Sequence, residues 1–262
     1  MQVSGNTQTK LRRLASQAQK GDRMTDKNAN GARDGLKALA EAAELGEAEA
    51  QYQMGKKYFK GEGLPQSDIE AIERYRLAAG QGHVKAQCDL GWMYEFGRGI
   101  PKDETEAVKW YRRSADQGHA LAQCNLGWMC EFGRGVAQDH AEAAKWYRRA
   151  AEQDYADAEC NLGVMYARGH GVRKNFVLAA KWYRRAAKQG NANAQFNLGV
   201  IHDNGQGVPQ DEVEAARWYL MAAEQGHKDA QFNLGLMYEY GFGVTQNDAK
   251  SMEWYRRAAE RA

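Results

Sequence analysis

One interval governs this sequence. Gly55, Gly91, Gly127, Gly163, Gly199 and Gly235 follow one another at steps of 36 residues without a slip. Two further glycine columns, beginning at Gly61 and Gly63, keep the same step, and Pro65, Pro101 and Pro209 share a column of their own. Six copies therefore run from residue 48 to 262 with no insertion or deletion. A unit this short cannot bury its apolar face alone, but stacked copies can, so the repeat calls for a solenoid held by nearest-neighbour contacts.

Each copy reads as two helices. In the segment AQCDLGWMYEFG, Ala86, Leu90, Met93 and Tyr94 form an apolar face at helical period, and Gly97 follows as a C-terminal cap. A second helix follows an N-cap column of Ser67, Asp103, Asp139, Asn175, Asp211 and Asn247. Glu70, Glu106, Glu142 and Glu214 stand three residues later, completing a capping box in four copies. Gly82, Gly118, Gly190 and Gly226 close the second helix, with Asp154 in that place once. A glycine inside the first helix costs about 1 kcal/mol relative to alanine, so six of them imply a packing purpose. The expectation is that this column faces the small Ala71, Ala107, Ala143, Ala179, Ala215 and Ser251 column, with the tyrosines from Tyr75 to Tyr255 beside them.

The consensus AxAQxNLGxMYxxGxGV…A..WYRRAAxQG resembles the Sel1-like repeat, a relative of the tetratricopeptide repeat, over residues 48–262. Residues 34–47 look like a degenerate half repeat, and residues 1–33 like a basic polar tail or cap. The resemblance implies an all-α, right-handed superhelix with the first helices lining a concave groove. It also implies a non-enzymatic adaptor or scaffold that binds a protein or peptide there. One cysteine-rich Helicobacter type within this family staples each helix pair with a disulfide. Here Cys88, Cys124 and Cys160 lie one residue off that type's position, and Ala-Ala stands where its second helix has a cysteine. Equivalent atoms of packed helices sit roughly 10 Å apart, whereas a disulfide needs Cα atoms within about 7 Å. All four cysteines, Cys130 included, are therefore expected to be free thiols.

Charge narrows the partners. Lys+Arg is 36 and Asp+Glu is 34, a formal net charge of +2, which argues against a nucleic-acid or membrane-surface binder. No apolar run approaches the roughly 20 residues of a membrane span. Residues 1–30 carry six basic and two acidic side chains and no signal-peptide core, so the cytoplasm is the expected compartment. That stretch reads either as a solvated tail or as a short amphipathic helix around Leu11, Leu14, Ala15 and Ala18 that docks on a partner. The last helix, with Trp254, Tyr255, Ala258 and Ala259, is expected to be partly uncovered and to offer a self-association face.

No catalytic set, metal site or cofactor site emerges. His83, His119 and His227 share one inter-helix column and read as turn residues. Cys130 and His202 stand two repeats apart, too far for a dyad. The FGRGV segments lack the lysine of a phosphate loop. The candidate site lies instead on the first helices, in columns whose identity changes while the framework holds. It comprises Cys88, Trp92, Phe96, Cys124, Asn125, Trp128, Phe132, Asn161, Phe196, Asn197, Phe232 and Asn233. The aromatic members suit apolar anchors of a partner, or alternatively packing on neighbouring helices. The asparagines suit pairing with an extended peptide, or alternatively a bond to the adjacent loop. The recurring Trp-Tyr-Arg-Arg string adds a basic ladder on the second helices. It is either solvated, with pairs such as Arg112–Asp116 and Arg148–Glu152, or a site for an acidic protein or nucleic acid. A secreted effector using the same groove, and a hydrolase of cell-wall-like substrates, remain as alternative classes.

Overall fold

The computed structural model describes residues 34–260. Thirteen helices are described, with no strand among these residues: α1 (34–44), α2 (Ala48–Lys60), α3 (Asp68–Gly80), α4 (Val84–Phe96), α5 (Glu104–Asp116), α6 (Ala120–Phe132), α7 (His140–Ala151), α8 (Ala156–Arg168), α9 (Phe176–Lys188), α10 (Ala192–Asn204), α11 (Glu212–Glu224), α12 (Lys228–Tyr240) and α13 (Asp248–Ala259). The basic stretch read as a tail or as a short helix around Leu11, Leu14, Ala15 and Ala18 lies outside the described residues. The chain forms two compact units, one within Met1–Ala86 plus Arg98–Ile100, the other Gln87–Gly97 plus Pro101–Ala262.

The caps follow the sequence. Ser67, Asp103, Asp139, Asn175, Asp211 and Asn247 each accept a hydrogen bond from the backbone N–H three residues on. That satisfies one of the four donors every helix start leaves open. Asp154 adopts φ 59, the left-handed turn that glycine occupies in the sister copies.

In the second unit each first helix packs on the second helix of its own copy, and each second helix packs on the first helix of the next, so the pairs stack as a solenoid. The glycine column explains how closely a pair approaches, with the tyrosine ring as the nearest group: a Cβ on Gly127 would lie 2.8 Å from Cδ1 of Tyr147. The alanine column stands beside it, as expected, the Ala71 carbonyl lying 3.3 Å from a Cβ on Gly55. The far end of the tyrosine ring is anchored: Tyr111 Oη donates to Glu95 at 2.6 Å and Tyr147 Oη to Glu131 at 2.8 Å.

Copies are joined by a loop and by a buried polar ladder. After α6, Gly133 turns the chain in the left-handed conformation, and Gly135 passes so near the start of α5 that a Cβ would run into the Glu104 carbonyl. Arg134, between them, pairs with Glu104. Below the loop, Gln123 Nε2 donates to the carbonyl of Ala115 at 3.1 Å, and Gln153 Nε2 donates to Gln123 Oε1 at 2.8 Å. Gln195, Gln225 and Ala187 repeat the arrangement two copies on. These buried amides give each helix-end carbonyl a further donor beside the backbone N–H three residues on.

Trp254 does not lie open as expected; it is buried in the core formed with Ala215, Tyr219 and Leu234. Tyr255 and Ala258 are half-covered and Ala259 is exposed.

Candidate functional site

Two aromatic pairs of the second unit lie on α4 and α6. Trp92 and Phe96 are one turn apart with ring centroids 5.1 Å from each other; Trp128 and Phe132 repeat this at 5.2 Å. Both tryptophans are half-buried, while Phe96 is 57% exposed and Phe132 54%. The Arg134 guanidinium sits over the outer face of Trp128, 5.3 Å from its centroid. Between the helices opens a cavity of about 360 Å³ lined by Cys88, Trp92, Phe96, Leu121, Asn125 and Trp128, with Asp89 and Glu95 at its edge.

The column of Cys88 varies between copies, with cysteine at Cys88, Cys124 and Cys160 and a ring at Tyr52, Phe196 and Phe232. Phe196 stacks on His227 with centroids 4.5 Å apart and packs against Tyr219.

The structure divides the predicted site residues. Cys88, Trp92, Phe96, Asn125 and Trp128 come together around one cavity, and Phe132 extends it. Cys88 and Cys124 are buried, 2% and 7% exposed, and belong to the core, though Cys88 also lines the cavity. Phe196 is half-buried, stacked on the histidine that opens the next first helix. Phe232, exposed, lies apart from these, against Tyr255 at 5.4 Å.

The asparagine column is partly committed to the copy before it, not to a loop backbone. Asn161 Nδ2 lies 3.9 Å from Cys124 Sγ, and Asn197, Asn125 and Asn233 stand beside the Cys160 thiol and the Tyr111 and Tyr219 hydroxyls, pulling their pKa values down against burial. An amide has up to four hydrogen-bonding positions, so each retains capacity on its open side.

All four cysteines are free and buried. Burial pushes the thiols of Cys124 and Cys160 up to about 12 and that of Cys88 well above the ordinary thiol range, so none is poised as a nucleophile. Among the described residues no three His, Cys, Asp or Glu side chains converge to hold a metal. None of the described helices is long and apolar enough to cross a membrane. His83 and His227 act as N-caps, each accepting from the backbone N–H three residues on.

Sequence reasoning missed two features. The arginine ladder is paired along its own helix in the last copy, where Arg257 meets Glu253 at 2.5 Å, but not in the second and third: Arg112 lies 4.0 Å from Glu142 of the next copy, and Arg148 donates to the Tyr166 hydroxyl. The other arginine of the string stacks on its own tryptophan, at 4.4 Å for Arg113 over Trp110 and 4.5 Å for Arg149 over Trp146. The constant Trp-x-x-Arg spacing was the available signal, since residues three apart meet on a helix face. The second omission is Glu159, a fully buried carboxylate in the glutamine column. Arg185 Nε approaches its Oε1 at 2.7 Å, and Gln189 Nε2 donates to its Oε2 at 2.8 Å. Burial raises its pKa above the ordinary carboxylate range, against the pull of Arg185.

Comparison with known proteins agrees with this architecture. The Sel1 repeat profile matches residues 48–83, 84–119, 120–155, 156–191, 192–227 and 228–262. A Sel1 repeat protein of Oxalobacter formigenes is 34% identical over 91% of this chain and 96% of its own, with a TM-score of 0.79. A protective antigen of uropathogenic Escherichia coli with an SLR fold is 39% identical over 86% of this chain, with a TM-score of 0.82; the match spans 48% of that antigen, about half its length. An immunity protein of Pseudomonas aeruginosa shares the fold at 22% identity and a TM-score of 0.52, over 81% of this chain and 82% of its own. No curated protein matches.

Proposed function

The chain belongs to the Sel1 repeat family, whose repeats generally serve as protein-interaction scaffolds, and on that premise we propose that it is a non-enzymatic scaffold whose cavity on α4 and α6 takes an extended peptide bearing a large apolar side chain. The observation that carries this reading is the pairing of half-buried Trp92 and Trp128 with the exposed rings of Phe96 and Phe132 around an open apolar cavity. Rings held by packing on one side and open on the other supply rigid contact area at little entropic cost. Asn125 and Asp89 at the edge provide the polar groups that fix peptide register, which apolar contacts alone do not.

The test is Trp128→Ala, with partner affinity and melting temperature measured on the same protein after capture of the partner from native lysate. Affinity falls at least about tenfold, or roughly 1.4 kcal/mol, while the fold holds, because Leu126, Gly127 and Met129 are untouched. A variant that binds normally, or that loses several kcal/mol of stability, removes the cavity from this reading. The likeness to a protective antigen favours a second reading, in which the same cavity meets a host protein outside the cell. Fractionation of the native organism separates the two: a protein confined to the cytosol rules the second out.

A further inference from the structure

The fourth copy carries a charge anomaly that the aromatic cavity does not use. From Cys160 to His202 there is no aspartate or glutamate, while Arg168, Arg173, Lys174, Lys181, Arg184, Arg185 and Lys188 all fall in this stretch. In a chain of net charge +2, this is a local excess. It arises column by column. Glu142 and Glu214, which pair with Lys145 and Arg217 in the flanking copies, are replaced by Leu178, so Lys181 has no such neighbour. Where the flanking copies carry Glu152 and Glu224, this copy carries Lys188. Where Glu131 accepts from Tyr147, the fourth copy has Ala167.

These cations border a built depression. The loop after α10 crosses the start of α9, with Gly207 so near that a Cβ would lie 2.6 Å from the Val177 nitrogen. The loop and helix enclose about 330 Å³, floored by Val177, Ala180 and Val208 and rimmed by Lys181, Arg184 and Lys188. Val177 is 61% exposed. Arg185, which also lines the space, is held by Asp154 and Glu159, whereas Lys181 and Lys188 form no ion pair with the described residues.

We propose that this face of α9 is a second docking surface, separate from the aromatic cavity, for an acidic protein segment that sets an apolar side chain on Val177 and Val208 and its carboxylates on Lys181, Arg184 and Lys188. Charge complementarity fixes the sign of the partner, and the rim cations, of which Arg184 touches the His202 ring at 3.4 Å, steer association with little desolvation cost. The apolar floor selects a peptide over a nucleic acid, since single strands are gripped by exposed aromatic platforms, and no aromatic ring lines this depression.

The experiment uses the full chain and three probes: a fluorescein-labelled peptide of Glu-Glu-Leu-Leu repeats, its Lys-Lys-Leu-Leu counterpart, and single-stranded oligothymidylate. The acidic peptide binds at low salt, more weakly as salt rises, and the basic one does not bind. Lys188→Glu and Leu178→Glu each install the residue that the third and fifth copies carry at that column, so folding is preserved, which a melting curve checks. Together they weaken acidic-peptide binding at least about tenfold, whereas Trp128→Ala leaves it unchanged. Failure of the aromatic cavity to bind its own partner thus does not touch this surface. Absence of acidic-peptide binding at low salt, binding unmoved by the double variant, or tighter binding of oligothymidylate to the same residues overturns the proposal.

Discussion

The third copy (120–155) and the fourth (156–191) share the Trp-Tyr-Arg-Arg string, the caps and the Gly–Tyr contact, yet they solve the same buried problem with different chemistry. In the third, neutral Gln123 donates to the Ala115 carbonyl and accepts from Gln153, and Arg149 has only its tryptophan to stack on. In the fourth, Glu159 has no hydrogen to donate. The Ala151 carbonyl is served by Arg185 Nη2 at 3.0 Å instead, and the same guanidinium meets Asp154 and Glu159 while still lying over Trp182. The loss of one amide donor is offset by an arginine that the motif already supplied at that column. The helix frame is thus indifferent to the chemistry inside it, provided each carbonyl finds a donor, and this leaves each copy free to set its own charge.

The sharpest way to break the comparison is Arg185→Ala against Arg149→Ala. The first leaves Glu159 buried without its charge partner and takes from the Ala151 carbonyl one of its two donors, the Asp154 backbone N–H remaining, and costs about 3 kcal/mol. The second loses a surface cation–π contact worth about 0.5–1 kcal/mol. Urea unfolding midpoints measure both, and equal shifts would refute the distinct role of Arg185. Gly127→Val and Gly163→Val come next. Added Cβ atoms would lie 2.8 and 2.6 Å from Tyr147 and Tyr183, and overpacking costs about 1–3 kcal/mol at each. Because the frame is shared, the two losses match; an unchanged midpoint at either site contradicts the close approach.

A smaller, pH-dependent effect follows from Glu159→Gln, which gives the fourth copy the amide of the third. Burial raises the Glu159 pKa in the folded state above its unfolded value, so the folded chain holds this proton more tightly. Its contribution to stability is therefore fully present below the unfolded pKa and lost as pH rises through the folded one. The variant gains on the parent, by about 1 kcal/mol, as pH rises from the ordinary glutamate range to neutrality. A gap that stays flat with pH, or narrows toward neutrality, counts against the raised pKa. The smallest difference is on the surface. Lys145→Ala breaks its pair with Glu142 and costs about 0.3 kcal/mol, whereas Lys181→Ala, opposite Leu178, costs nothing measurable by the same denaturation assay.

What belongs to one copy was legible, and what passes between copies was not. Helix limits, the caps from Ser67 to Asn247 and the left-handed Asp154 follow from local preferences repeated six times. That the Tyr147 ring is the group nearest Gly127 was not legible, since spacing says which residues share a face but not which atoms fill the gap between faces. The aromatic quartet of the candidate site was visible as variable columns. The burial of Cys88 and Cys124 was not, nor the stacking of Phe196 on His227, because each depends on the side chain that the next copy happens to place above it. Arg112 reaching Glu142, in place of Asp116 on its own helix, is the same lesson in charge.

The free thiols lead somewhere else. Cys88, Cys124 and Cys160 occupy one column in three successive copies, each shut away from solvent with its thiol held protonated. A thiol reagent reaches each only when that copy opens, so the three labelling rates, read separately by peptide mass, become a ruler laid along the chain. They record where the stack breathes first, without a single probe having been added.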